Sequence, residues 1–318
     1  MSTVLITGGT GLIGSSLSQL LVNNGYNVII LSRNPVETAA KHEVSLSRRS
    51  FRSSGNIYYS KWDVESGKID LTALKESDYI VHLAGAGVAE KRWSAKRKKE
   101  IVESRTQSSE LVVRALRENE NKIKAVISAS AIGWYGPGNG KMFTENDPAA
   151  DDFLGQTCVQ WEQSIEPVAA LGKRLVKLRL GIVLSNDGGA LKEFRKPIKL
   201  GVAAILGDGK QITSWVHIDD ICRAFLEAIE NQSMQGVYNV VAPNPTDSKT
   251  LTLSLAKAIR GTSYIPMHVP EWTLRLMLGE MSIEVLKSAT VSSRKVSETG
   301  FQFLFPSIES AIEDIVRK

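Results

Sequence analysis

Short apolar runs recur along the chain and alternate with longer stretches of helical periodicity. Val4-Leu5-Ile6, Val28-Ile29-Ile30-Leu31, Ile57-Tyr58-Tyr59, Tyr79-Ile80-Val81-His82-Leu83, Ala125-Val126-Ile127 and Leu175-Val176-Lys177-Leu178 have the length and composition of buried strands. Leu12 to Val22 and Lys96 to Leu116 repeat their apolar residues at helical spacing. This rhythm predicts right-handed βαβ crossovers and hence an α/β fold with a doubly wound parallel sheet. A further strand, Gly236 to Val240, follows a helix expected from Asp219 to Ile229.

After Pro243 the pattern changes. Helical segments dominate, interrupted by Pro266, Pro270 and Pro306, and no further alternating strands are expected. The division this suggests is a nucleotide-binding domain of residues 1–184 and 216–242, and a smaller, mainly helical substrate cap of residues 185–215 and 243–318. The glycine-rich stretch Asp187 to Gln211 is expected to join the cap across the mouth of the sheet.

Composition narrows the class. With 318 residues and 42% hydrophobic content the chain can bury a sizeable core. It has no apolar run of the roughly 18 residues that would span a bilayer, and no signal peptide precedes the first strand. A cytoplasmic protein without a membrane partner is the expectation. Two cysteines, Cys158 and Cys222, and four scattered histidines predict neither a disulfide framework nor a metal site.

The net charge of +5 is concentrated in two runs, Ser47-Arg48-Arg49-Ser50-Phe51-Arg52 and Lys96-Arg97-Lys98-Lys99. No aromatic-interleaved basic stripe accompanies them, so they read as solvated faces and no nucleic-acid partner is expected.

The first strand runs into Ile6-Thr7-Gly8-Gly9-Thr10-Gly11-Leu12-Ile13-Gly14. Glycines at this spacing, after a strand and opening a helix, permit a tight turn and a close backbone approach to a pyrophosphate. Thr7, Gly8, Gly11, Leu12, Ile13 and Gly14 are therefore candidate cofactor contacts. The second strand ends in Leu31-Ser32-Arg33-Asn34, without the carboxylate that would hold both ribose hydroxyls of NAD. Arg33, with Ser32 beside it, offers donors to a 2′-phosphate, which predicts NADP(H).

These stretches, with His82-Leu83-Ala84-Gly85, Arg92-Trp93, Glu103-Ser104-Arg105-Thr106, Ser128 to Gly136, Leu178 to Leu184, Ser214 to Asp220 and Gly300-Phe301-Gln302-Phe303, cover the whole chain. Together they resemble the extended short-chain dehydrogenase/reductases of Rossmann type, and within them the atypical branch of epimerase-family proteins. The resemblance implies that Asp63 reads the adenine amino group and that Leu83, Ala84 and Gly85 pass beneath the adenosine half. It also implies a serine, a tyrosine and a lysine for proton transfer during hydride transfer.

Ser130 matches the serine, with one more residue before Tyr135 than the usual pattern has. Counting back from Glu162 places Cys158 where lysine belongs and Leu154 where tyrosine belongs. No tyrosine occurs between Ala149 and Leu171. Tyr135 or Cys158 are the candidate substitutes, with His217 further off, while Arg92, Trp93, Lys96, Arg105, Trp215, His217 and Asp219 are expected around an anionic or sugar-like small molecule. Two functions stay open: an NADP(H)-dependent oxidoreductase or epimerase-like enzyme, and a catalytically silent NADP(H)-binding sensor or scaffold. Helices Lys96 to Leu116 and Asp151 to Leu171 resemble the surface through which related enzymes form homodimers.

Overall fold

The computed structural model describes residues 1–39, 55–138 and 140–317. The basic run Ser47 to Arg52 lies outside the described residues. Each apolar run named above forms a strand of one eight-stranded sheet, ordered Gly236–Val240, Arg174–Leu180, Ala125–Ala131, Tyr79–His82, Thr3–Thr7, Asn27–Ser32, Ile57–Asp63, Lys68–Ile69. Seven strands are parallel, and the short Lys68–Ile69 closes the edge antiparallel to Ile57–Asp63. The central strands Thr3–Thr7, Asn27–Ser32, Tyr79–His82 and Ala125–Ala131 are buried on both faces and carry continuous apolar runs rather than alternation, whereas Ile57–Asp63, next to the edge, is largely half-buried or exposed. The strand order reverses between Thr3–Thr7 and Tyr79–His82, which opens a crevice at their carboxyl ends.

Helix Leu12–Asn23 packs on the sheet through Leu17, Leu21 and Val22, with Leu12 and Leu20 partly buried beside them. Its partner on that face is helix Ile218–Glu230, which buries Ile221, Cys222, Phe225 and Ile229 in the same core. The other face is covered by helices Ala95–Glu118 and Phe153–Ile165.

The smaller unit has its own core. Helices Ala190–Lys199, Ser248–Arg260 and Ile308–Arg317 enclose Leu191, Ile198, Leu255, Ile312 and Trp215. One expectation fails here: Ile265–Val269 is a strand, paired in parallel with Val202–Leu206. A proline cannot donate to a ladder, but Pro266 sits in a two-stranded sheet where one side of the strand needs no donor.

Side chains tie the cap to the sheet domain. Buried Asp220 accepts from the backbone N–H groups of Leu304 (2.8 Å) and Phe305 (3.0 Å). Lys287 reaches back to Asp152 at 2.7 Å and to the carbonyl of Tyr135 at 3.2 Å. Lys98 pairs with Glu280, so the second basic run is not a purely solvated face. Arg97 of that run is buried and paired with Glu90 at 3.1 Å and Glu100 at 2.8 Å.

Candidate functional site

The glycine turn is packed so tightly at Gly8 and Gly14 that no larger residue fits there. Gly8 has φ +69°, and a Cβ there would meet the Leu83 carbonyl carbon and oxygen at 2.8 Å. A Cβ on Gly14 would stand 2.4 Å from the Gly8 carbonyl oxygen and 2.6 Å from Gly9 Cα, where helix and turn cross. The missing side chains therefore set the helix against the strand and bring the turn up to the loop Leu83 to Gly85.

The N-terminus of helix Leu12–Asn23 differs from its neighbours. Asp70, Ser94, Asp152 and Asp247 cap their helices with side-chain oxygens, whereas Gly11 has no side chain to offer. The first helical N–H groups, those of Leu12, Ile13 and Gly14, have no partner within the helix and carry the positive end of its dipole. A phosphate fits that chemistry.

Thr7 braces this region from inside. Its Oγ1 accepts from the N–H groups of Leu83 (3.1 Å) and Ala84 (3.2 Å) and lies 2.8 Å from His82 Nδ1. With both backbone donors occupied, the Thr7 hydroxyl proton points to His82 Nδ1, and His82 Nε2 then donates to Ser109 Oγ at 3.0 Å. Burial pushes the His82 pKa down to about 4, so the ring is neutral. Thr7 is fully buried; it shapes the loop rather than presenting a hydroxyl to the crevice.

At the end of the second strand Arg33 is exposed, and among the described residues it has no hydrogen-bond or ion-pair partner. Ser32 is occupied locally, its Oγ 2.7 Å from Thr38 Oγ1 and accepting from Asn34 N–H at 3.2 Å. Asp63 is half-buried and caps a turn: it accepts from Glu65 N–H (3.1 Å), Ser66 N–H (3.3 Å) and Ser66 Oγ (2.7 Å). Those bonds hold its carboxyl below the usual range.

Ser130, matched to the serine that steadies the substrate oxygen, and Tyr135 and Cys158, the alternative proton donors, all sit in closed positions, which runs against those expectations. Ser130 donates from Oγ to Glu162 Oε1 at 2.7 Å. Tyr135 is fully enclosed, donating to Asn239 Oδ1 at 2.8 Å and accepting from Arg179 Nη1 at 3.0 Å, with its ring stacked on Phe143. Burial pushes its phenol up, against the opposing pull of Arg179. Cys158 lies beneath the loop after strand Ala125–Ala131, its Sγ 3.7 Å from the Ala131 carbonyl, and burial raises the thiol to about 12. A thiol so raised is no base at neutral pH.

Glu162 and Arg179 organise this buried network. The sequence used Glu162 only to count the helix register, and Arg179 and Asn239 were not singled out. The one advance signal was their polarity inside apolar strand and helix segments.

Of the expected substrate residues, Trp215 and His217 are corrected too. Trp215 fills the core of the cap. His217 is buried, accepts the Asp219 N–H on Nδ1 at 3.1 Å and so caps helix Ile218–Glu230. Its Nε2 lies 3.3 Å from Asp314 of the last helix. His217, Asp219 and Asp314 bring one ligand atom each within 4.8 Å of one another, a grouping that the scattered histidines had not suggested.

Arg92 and Lys96 are exposed, and Arg92 lies against Gly279 of the cap. Trp93 donates to Val88 O and meets Phe153 edge-on at 4.9 Å. Arg105 lies against Gly85, where a Cβ would meet its Cζ at 3.2 Å, with its guanidinium 4.9 Å from the Trp161 ring centre.

A doubly wound parallel sheet with a glycine turn at its order reversal, under a cap that reaches back to the strand ends, defines an extended Rossmann-type protein. The chain belongs to the NAD dependent epimerase/dehydratase family, whose description matches residues 4–241, and residues 269–315 match a domain of unknown function, DUF1731. It is 34% identical to an epimerase family protein of Staphylococcus saprophyticus over 319 residues, covering 99% of this chain and 100% of that one. It is 33% identical to the epimerase family protein YfhF of Bacillus subtilis, covering 98% and 97%. The structure of the human epimerase family protein SDR39U1 with NADPH superposes with a TM-score of 0.84 at 27% identity, covering 99% of both chains. No helix among the described residues is long and apolar enough to cross a membrane.

Proposed function

We propose that the chain binds NADP(H) across the crevice and uses it in an oxidoreductase or epimerase-like reaction on a small polar molecule, either sugar-like or an anionic carbonyl compound. The carrying observation is the side-chain-free helix start at Gly11 combined with an exposed Arg33 at the end of the second strand that has no partner among the described residues. The first suits a pyrophosphate. The second suits a 2′-phosphate, because no carboxylate stands there to repel it. NADPH in the human relative supports the same reading. When bound, the cofactor would supply or accept a hydride; the glycine turn would hold its phosphates, and the cap would exclude water from the reacting carbon.

A second reading has its own support. Ser130, Tyr135 and Cys158 are all committed to buried bonds, so none offers a mobile proton at the crevice mouth. That arrangement suits a catalytically silent NADP(H)-binding sensor or scaffold. The two readings separate in an isotope experiment with NADPH deuterated at C4 and panels of keto-sugars, quinones and aldehydes. Deuterium in any product establishes the enzyme, and its absence across all three classes favours the silent module. The cytoplasmic location and a homodimer through helices Ala95–Glu118 and Phe153–Ile165 belong to the same proposal.

A further inference from the structure

Among the described residues Arg97 and Arg179 are buried and neutralised, whereas Arg105 is half-buried and is not. Arg97 is held by Glu90 and Glu100, and Arg179 by Glu162. Arg105 is different. Its Nη1 donates to the carbonyls of Ala86 (3.0 Å) and Ile101 (2.9 Å), while Nε and Nη2 have no acceptor among the described residues. No carboxylate among those residues lies within ion-pair distance of it.

Burial penalises this charge and pushes its pKa down, and nearby Arg97 adds repulsion. The guanidinium is half-buried, and its Nε and Nη2 remain open to solvent, so an anion from outside the protein can reach them and supply the missing counter-charge. Arg105 stands where such a group would arrive. It touches Gly85 in the loop that contacts the glycine turn, and helix Phe153–Ile165 reaches it through Trp161. Gly133 lies over Cys158 and Leu154 on the far side, a Cβ there being 3.7 Å from Cys158 Sγ. The Trp161 ring supports the guanidinium face, which leaves an edge as the donor surface.

We propose that Arg105 is an anion-binding residue of the crevice, whose Nε and Nη2 edge receives a carboxylate or a comparable anionic oxygen of the substrate. This rests on the reading that the crevice takes a nicotinamide dinucleotide, and it narrows the substrate class from small polar molecules to carboxylates and related oxyanions. Arg105 is suited to that task because a planar fork matches two carboxylate oxygens at once. The cation of the site thus comes from helix Ala95–Glu118, not from helix Phe153–Ile165, where Cys158 supplies no charge.

The test uses oxalate as the anionic probe and its uncharged diamide, oxamide, as control, titrated into the full chain with and without NADPH. Trp161 fluorescence is the readout, checked against Trp161→Phe. Wild-type protein is expected to bind oxalate and ignore oxamide. Arg105→Met should weaken oxalate binding by about tenfold or more, with Arg105→Lys intermediate, as loss of a charge-assisted fork demands. NADPH affinity should change by less than about threefold, a shift far smaller than a charge-assisted contact carries.

Equal oxalate binding by wild type and Arg105→Met overturns the proposal, as does absence of oxalate binding in both conditions. A tenfold loss of NADPH affinity in Arg105→Met overturns it differently, because the anion would then belong to the cofactor. If wild type binds oxalate but not NADPH, the nucleotide reading fails while the anion site stands. Arg105→Lys keeps the charge, and the melting curve of Arg105→Met itself shows whether its loss of binding comes from loss of the fold.

Discussion

Glu162 holds Arg179 with two parallel hydrogen bonds, Nε to Oε1 at 2.8 Å and Nη2 to Oε2 at 3.1 Å, in a position where both side chains are almost sealed from water. The same Oε1 accepts from Ser130, and Arg179 lies 3.6 Å from the Trp134 ring centre while donating to Tyr135. A residue group that first reads as proton-transfer machinery is thereby bound into a structural ion pair. Removing the carboxylate alone leaves a buried guanidinium without its partner. Glu162→Ala is expected to lose about 3–5 kcal/mol in urea unfolding, and replacing both residues with apolar side chains should recover much of that loss. A loss below about 1 kcal/mol, the value of an exposed pair, contradicts the assignment.

His82 gives the fold a defined acid sensitivity. Its pKa is about 4 in the folded chain, lowered by burial, against 6.5 as the ordinary value. Between those values the unfolded chain binds the proton and the folded chain refuses it, so stability falls as pH falls. The contribution is complete above pH 6.5, is reduced by about 2 kcal/mol at pH 5 and by about 3 kcal/mol below pH 4. Chemical unfolding at pH 7 and pH 5 should show this difference in the wild type, and His82→Asn should lack it. An unchanged slope in the variant would falsify the assignment.

Both cysteines are buried, and burial pushes both thiols up, Cys158 to about 12 and Cys222 further. Native protein should therefore react with a disulfide reagent only as fast as it opens, and two thiols should appear at once in denaturant. Immediate labelling of Cys158 in native protein would restore it as a candidate for chemistry.

The sheet was legible because its central strands are continuous apolar runs, with only the two-residue edge strand Lys68–Ile69 unmarked, and the glycine turn because its spacing falls between a strand and a helix. What escaped was long-range polar pairing. Tyr135 meets Asn239 from 104 positions away, and no local pattern shows that its phenol turns inward to that amide. Pro266 hid strand Ile265–Val269, since a proline breaks a ladder in most contexts and is tolerated at an edge. His217 looked like a pocket residue because nothing local shows that its ring nitrogen caps the helix that follows it. Arg105 was legible as a candidate residue, but its lack of a counter-charge depends on where Glu90, Glu100 and Glu162 point.

The central claim is that the crevice binds NADP(H), and titration of the full chain with NADPH and NADH tests it most directly. Arg33→Asp reverses the charge at the 2′-phosphate position, and Gly14→Ala drives a Cβ into the Gly8 carbonyl 2.4 Å away. The account predicts NADPH binding at least about tenfold tighter than NADH binding, as one charge-assisted phosphate contact requires. That preference should vanish in Arg33→Asp, and both nucleotides should weaken in Gly14→Ala. Equal affinity for the two nucleotides would contradict the NADP(H) assignment, and failure to bind either would contradict the site itself.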